Sequence, residues 1–144
     1  MAANNDKEIL EPIVKENAPG LYSMNGKSKW CKVVDVYDGD TVNIVFVHLG
    51  EIRHHKFRLF GVDSPELKPL KTLTDREAHI KSAKDSREFL QGLILNKLVW
   101  IDFSAEEKYG RLMGIIYTDD ERLTNINSLM ISSGHAKAYD GGKK

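Results

Sequence analysis

Three β-rich runs separated by two glycine turns fill residues 32–61, and no other feature restricts the possible folds of this chain so tightly. Lys32 to Tyr37 is rich in valine and stops at the turn dipeptide Asp38-Gly39. Thr41 to His48 alternates, placing Val42, Ile44 and Phe46 on one face. Leu49-Gly50-Glu51 then reverses the chain, and His54 to Gly61 returns as a third strand. Strands this close in sequence pair with their neighbours, so the segment reads as an antiparallel meander.

Beyond it the period changes. Ser64 to Leu73 is held away from helix by Pro65 and Pro69. Thr74-Asp75-Arg76-Glu77 has the form of a capping box, with the Thr74 hydroxyl accepting from the amide three residues on and Glu77 reaching back. Ile80, Ala83, Arg87, Leu90 and Ile94 follow at helical spacing, predicting a helix to about residue 96. Leu98 to Phe103 and Met113 to Thr118 read as two more strands, and Asn125 to Ser133 as a short helix stopped by Gly134. The order β-β-β-α-β-β-α suits an α+β, mainly β domain: a five-stranded barrel of OB type with two capping helices. Residues 1–29 mix charge with Asn, Pro and Gly and read as a flexible N-terminal leader, which leaves 30–144 as one barrel domain.

Composition narrows the setting. Cys31 is the single cysteine, so there is no internal disulfide and no thiolate metal site; it reads as a half-buried strand residue. The first thirty residues lack the apolar stretch of a secretory signal, and no run approaches the roughly 20 apolar residues that span a bilayer. A soluble, intracellular chain without a membrane partner is expected. The 21 basic residues balance the 21 acidic ones, which argues against nucleic-acid binding through bulk charge. An enzyme that grips one phosphate with a metal ion and two arginines remains compatible.

The chemically informative residues are Asp38-Gly39-Asp40-Thr41, Arg58, Asp63-Ser64-Pro65-Glu66, Lys108-Tyr109-Gly110-Arg111 and Tyr139. If the second and third strands form a hairpin about Gly50, Asp40 lies within a residue or two of Phe60 and therefore near Asp63. Two carboxylates about 4 Å apart repel by on the order of 4 kcal/mol at an effective dielectric near 20. Either one holds a proton or a cation sits between them. With oxygen donors and no His or Cys nearby, Ca²⁺ or Mg²⁺ is the natural occupant. Taken singly, each of these residues is more often structural, since Asp-Gly and Asp-Ser-Pro are ordinary turns. The tetrapeptide Asp-Gly-Asp-Thr, however, arises by chance in roughly one chain of this size in a thousand at average residue usage. His54-His55 reads as an exposed pair pointing to opposite faces of a strand, and Trp100 and Tyr117 as barrel packing.

In these residues the sequence resembles the staphylococcal nuclease (thermonuclease) family, from about Lys32 to Tyr139: DGDT, then RLFGVDSPE after a hairpin, then KYGR after a helix and a strand. The resemblance implies an OB-barrel and a Ca²⁺-dependent nuclease, an endonuclease cutting DNA, RNA or both, with Mg²⁺ or Mn²⁺ as other candidate ions. It implies Asp40 and Asp63 as carboxylate metal ligands, with Ser64 where the family has a Thr that ligates through its carbonyl. Asp38 matches an acidic position behind those ligands. It implies Glu66 as general base, Arg58 and Arg111 as the pair on the scissile phosphate, and Lys108, Tyr109 and Tyr139 as substrate contacts. The chain departs from the family prototype in a longer segment after Glu66, where Lys68 and Lys71 read as a solvated loop, and in ending without a further C-terminal helix.

Hydrolysis of a phosphodiester loads negative charge on phosphorus, and arginine answers it bidentately without losing its proton. The contrasting expectation is a non-catalytic OB-fold module that binds nucleic acid or protein. A monomer is expected in either case.

Overall fold

The computed structural model describes residues 2–66 and 75–139. An exposed helix α1 (Ala2–Leu10) precedes β1 (Ser28–Asp38), β2 (Thr41–His48) and β3 (Glu51–Leu59). Then come β4 (Val62–Asp63), α2 (Arg76–Ile94), β5 (Leu98–Phe103), β6 (Leu112–Tyr117), α3 (Ile126–Ser132) and β7 (Lys137–Ala138). Strands β1-β2-β3-β6-β5 close a five-stranded barrel, and β4 with β7 forms a separate two-stranded ribbon. The expected OB-type barrel is therefore present, with one helix and one ribbon more than the sequence pattern indicated.

All ladders in the barrel are antiparallel except one. Phe57, Arg58 and Leu59 of β3 pair in parallel with Leu112, Met113 and Gly114 of β6. That seam brings Arg111, one residue before β6 and two before the Met113 that pairs with Arg58, to the same end of the barrel as Arg58. Closure is tight at Gly114, where a Cβ would lie 2.2 Å from the Asp102 carbonyl oxygen across β5. The buried Asn127 of α3 stitches the same corner: it accepts from the Ile116 amide and donates to the Phe60 and Gly114 carbonyls at 2.9 and 3.0 Å. It thereby pairs the Ile116 amide and the Phe60 carbonyl and gives the Gly114 carbonyl, which already accepts from the Phe60 amide, a second donor.

The alternation read in β2 is the alternation observed. Val42, Ile44 and Phe46 point inward to meet Phe57, Leu59, Ile101 and Ile116. Fully burying each such side chain contributes about 1.5–3 kcal/mol. Cys31 is also inside, at 1% exposure, and not half-buried as expected, because its strand position alternates with Trp30 and Lys32 toward the core. Burial pushes its thiol up to about 12.

Other expectations need correction. Trp100 and Tyr117 lie on the outer face of the barrel, since Val99, Ile101 and Ile116 take the inward positions; Trp100 meets the Trp30 ring edge-on at 5.4 Å. The capping box is not the start of α2: its N-cap is Asp75, in the left-handed region at φ 58, without a side-chain cap bond, and Thr74 lies outside the described residues. So do Lys68 and Lys71. The leader is not uniformly remote from the barrel. Met24 is buried in the core, and Glu106 accepts from Ser23 Oγ and the Met24 amide. His54 is exposed as expected, whereas His55 stacks on Phe46 at 5.4 Å. At the C-terminal end of α3, Gly134 sits at φ 83, as the sequence predicts for its stop residue.

Candidate active site

The site is built on the turn between β1 and β2. Gly39 there is crowded: a Cβ would come 1.9 Å from Ser86 Oγ of α2 and 2.8 Å from Ser64 Cβ. Helix α2 and the segment after β4 therefore press directly on the turn, and the missing side chain is what allows them to do so. Asp38 accepts from the Asp40 amide at 3.1 Å, which fixes the direction of the Asp40 carboxylate.

Asp40 is the hub. It is 5% exposed, and its Oδ2 accepts from the Ser64 amide at 3.0 Å while its Oδ1 accepts from the Thr41 hydroxyl at 2.8 Å. Arg58 Nη1 lies 3.3 Å from the same Oδ1. The register explains these contacts, because Thr41 stands opposite Arg58 and the Leu59 amide donates to the Asp40 carbonyl. Burial works to raise the Asp40 pKa, but hydrogen bonds from Asp38, Ser64 and Thr41 and the charge of Arg58 hold it below the ordinary carboxylate range. Asp38 moves the other way. Burial first, then its hydrogen bond and charge repulsion with Asp40, push it up to about 7.

Two guanidinium groups face this hub differently. Arg58 is nearly buried, donates to the Val62 carbonyl at 2.9 Å and sits 5.4 Å from the Tyr139 ring centroid. Arg111 is half-exposed and forms a two-pronged pair with Glu107, its Nη2 at 2.9 Å from Oε2, while its Nη1 reaches toward Thr41 Oγ1 at 3.5 Å. Glu107 and Arg111 meet because Gly110, at φ 89, closes a turn in which the Gly110 amide donates to the Glu107 carbonyl. The bond to Glu107 raises the Arg111 pKa further.

These groups open onto a cavity of about 790 Å³ lined by Asp38, Asp40, Thr41, Arg58, Ser64, Glu66, Glu107, Tyr109 and Arg111, and extending to Asp35, Tyr37, Asn43 and Lys56. Of the residues expected from sequence, the cavity gathers Asp38, Asp40, Arg58, Ser64, Glu66, Tyr109 and Arg111. Asp63, Lys108 and Tyr139 are not on its wall. Asp63 lies in β4 opposite Lys137, Lys108 places its ammonium 5.5 Å from the exposed Tyr109 ring, and Tyr139 backs Arg58 while its amide donates to the Gly61 carbonyl. Sequence reading placed Thr41 in the motif but gave it no role, whereas it bridges Asp40 and Arg111, and it missed Glu107, which holds Arg111. A signal for Glu107 was present, in a carboxylate four residues before an arginine across a glycine turn.

Among the described residues no group of three or more His, Cys, Asp or Glu side chains is arranged to hold a metal ion. The donors around Asp40 are nonetheless all oxygen, and the buried Ser64 Oγ has no hydrogen-bond partner among the described residues. That donor set fits a hard cation whose remaining ligands are waters, and does not fit a soft one.

Residues 56–144 match the family model described as staphylococcal nuclease homologue. The chain is 27% identical over 109 residues to an uncharacterized endonuclease of Escherichia coli O157:H7, covering 76% of this chain and 60% of that one. It is 29% identical over 114 residues to a micrococcal nuclease of Shigella flexneri (75% and 57%), and 32% over 124 residues to the uncharacterized protein MJ1439 of Methanocaldococcus jannaschii (75% and 58%). The chain thus spans about three fifths of the length of these curated relatives.

Proposed function

The chain belongs to the staphylococcal nuclease homologue family, and on that premise we propose that it hydrolyses phosphodiester bonds of DNA or RNA, as an endonuclease requiring a divalent cation. The observation that carries this reading is the convergence of Arg58, Arg111 and Glu66 on one cavity whose floor is the buried Asp40. Family membership makes Ca²⁺ the first candidate ion.

The scissile phosphate binds between the two guanidinium groups. Arg58 is pre-aimed by the Val62 carbonyl and the Tyr139 ring, so little reorganisation is left for the moment of reaction. Arg111 reaches the same space by exchanging part of its Glu107 pairing for phosphate oxygens. Glu66, one residue past the rigid Pro65, is exposed on the cavity wall and takes the proton of the attacking water. A divalent cation held by Asp40, Asp63 and the Ser64 carbonyl would supply charge neutralisation on the phosphate. Asp38 fixes Asp40 from behind. Tyr109 on the cavity wall, with Lys108 beside its ring, would contact the adjoining nucleotide.

Heat-denatured DNA incubated with the protein and CaCl₂ tests the proposal. Cleavage that a chelator abolishes is expected, with Arg58→Ala and Glu66→Ala each reducing the rate roughly 10²–10³-fold. Absence of chelator-sensitive cleavage would overturn it. One observation favours a second reading, a binding module that does not cut: the net charge is zero. Retention of the strand by wild-type protein in calcium, with no cleavage product, would select that reading.

A further inference from the structure

The candidate cavity does not stop at the reactive end of the barrel. It runs on along the outer face of β1, β2 and β3 to Asp35, Tyr37, Asn43 and Lys56. On β3, Phe57 and Leu59 face the core, so Arg58, Lys56, His54 and Ile52 share the opposite face. The register sets Arg58 opposite Thr41, Lys56 opposite Asn43, His54 opposite Val45 and Ile52 opposite Val47. From the other side, Asp35 stands opposite Asn43 and Lys32 opposite Val45. Arg58, Lys56 and His54 therefore form a row of donors along β3 leading away from the site, and Lys32 faces that row from β1 across Val45.

We infer that this strip is a track for a single-stranded polynucleotide, carrying the chain that leaves the phosphate held at Arg58; the inference rests on the nuclease reading above. The side chains of Lys32 and Lys56 are exposed and make no hydrogen bond or ion pair among the described residues. On a chain of zero net charge, two such cations, Lys56 on the cavity wall and Lys32 further along the strip, are available for phosphates. Asp35 is the acidic group within the strip; it sits on β1 at the level of Asn43 and biases a polyanion toward Lys56 at that level, with Lys32 available further along, opposite Val45. Tyr37 and Trp30, 56% and 45% exposed on β1, offer ring faces for unpaired bases, and Val45, Val47 and Ile52 give an apolar floor.

Dimensions favour one strand over two. From Arg58 to Ile52 the strip is about 20 Å long at roughly 3.3 Å per residue, and three strands make it about 10 Å wide. That length suits a few nucleotides, the low end of the roughly 4–16 that an OB fold covers. A duplex would place its second strand beyond the row of donors and leave Tyr37 and Trp30 without bases to stack on.

The test uses the full chain carrying Glu66→Gln, so that turnover does not consume the probe. Fluorescence anisotropy of a labelled oligothymidylate of about 12 nucleotides is followed across a salt series, with an oligouridylate of equal length as the RNA arm. Adding Lys32→Ala and Lys56→Ala should weaken binding at least tenfold and flatten the slope of log affinity against log salt by about 1.4, two contacts at roughly 0.7 each. In the protein with Glu66 intact, the same two changes should reduce the preference, in kcat/KM, for the oligonucleotide over a dinucleotide. Unchanged affinity and slope in the doubly substituted protein, on both probes, would overturn the track. Equal competition by the corresponding duplex would overturn its single-strand character. A sedimentation shift caused by Ile52→Glu without any change in oligonucleotide binding would assign the face to a second copy of the chain instead. A wild-type protein that cleaves nothing would defeat the nuclease reading, whereas the anisotropy reads the track without any cleavage.

Discussion

The two turns of the meander look alike in sequence and differ in what makes their glycines necessary. At Gly50 the cause is local. The backbone is left-handed there, at φ 79, the preceding Leu49 is at φ 53, and a Cβ would meet nothing within 4 Å. Paired left-handed residues suit a two-residue hairpin between strands that twist to the right. At Gly39 the cause is remote, since a side chain would collide with Ser86 and Ser64, brought in from α2 and from the segment after β4. One turn obeys its own dihedral angles; the other obeys the packing around it. The comparison explains why the candidate site collects at Gly39. A turn pinned by distant elements can hold Asp40 in one orientation, and an exposed hairpin tip cannot.

That contrast can be broken by substitution, beginning with the larger effect. Gly39→Ala should destabilise the protein by about 1–3 kcal/mol through overpacking. It should also cost on the order of 10² in kcat/KM, because Ser64 and with it the Asp40 hydrogen bond must move. Urea denaturation and steady-state cleavage check both. Adding Ser86→Gly should recover part of the loss, and a double-mutant cycle without coupling would refute the crowding account.

Protonation sharpens the same comparison. The folded pKa of Asp38 is pushed up to about 7, from an ordinary value of 3.8. Between those values the unfolded chain has released a proton that the folded chain retains, so Asp38 makes metal-free stability fall as pH rises from about 4 to about 7. Asp40 is depressed instead, so its contribution is present above its ordinary pKa and is lost on further acidification. The melting temperature of chelator-treated protein, followed from pH 4 to 7, should decline, and Asp38→Asn should flatten that decline.

The smallest effect belongs to the exposed turn. Gly50→Ala should cost about 1–2 kcal/mol, the penalty of a Cβ in left-handed backbone, and leave cleavage at the wild-type rate. A loss of activity comparable with that of Gly39→Ala would erase the distinction between the two turns.

Much of the barrel was readable before any coordinates. β2 and β5 carry their own period and end at turn residues, so their limits match the expectation. β4 and β7 were not readable, because strands of two residues have no period and exist only as each other's partners. The outward placement of Trp100 and Tyr117 was missed for a related reason: size and apolarity mark a residue for packing, but alternation with Val99 and Ile116 decides which side it occupies. Within the candidate site, the motifs pointed to Asp40, Arg58, Glu66 and Arg111, and the structure brings these four to one cavity. The motifs did not mark Glu107 as the partner of Arg111 or Thr41 as the bridge, since neither role exists until the loop after β5 folds back over the β1–β2 turn.

Sequence by itself determined the alternation that turns Val42, Ile44 and Phe46 inward, the hairpin about Gly50, and the residue types able to bind a phosphate. Each depends on neighbours a few positions away, where chain stereochemistry leaves few choices. Only the tertiary structure decided that β3 runs parallel to β6, that α2 presses on Gly39, and that Asp40 is buried against Arg58 and the Ser64 amide. Those are contacts between segments far apart in the chain, and they become favourable only when the barrel closes and removes water from all of them together.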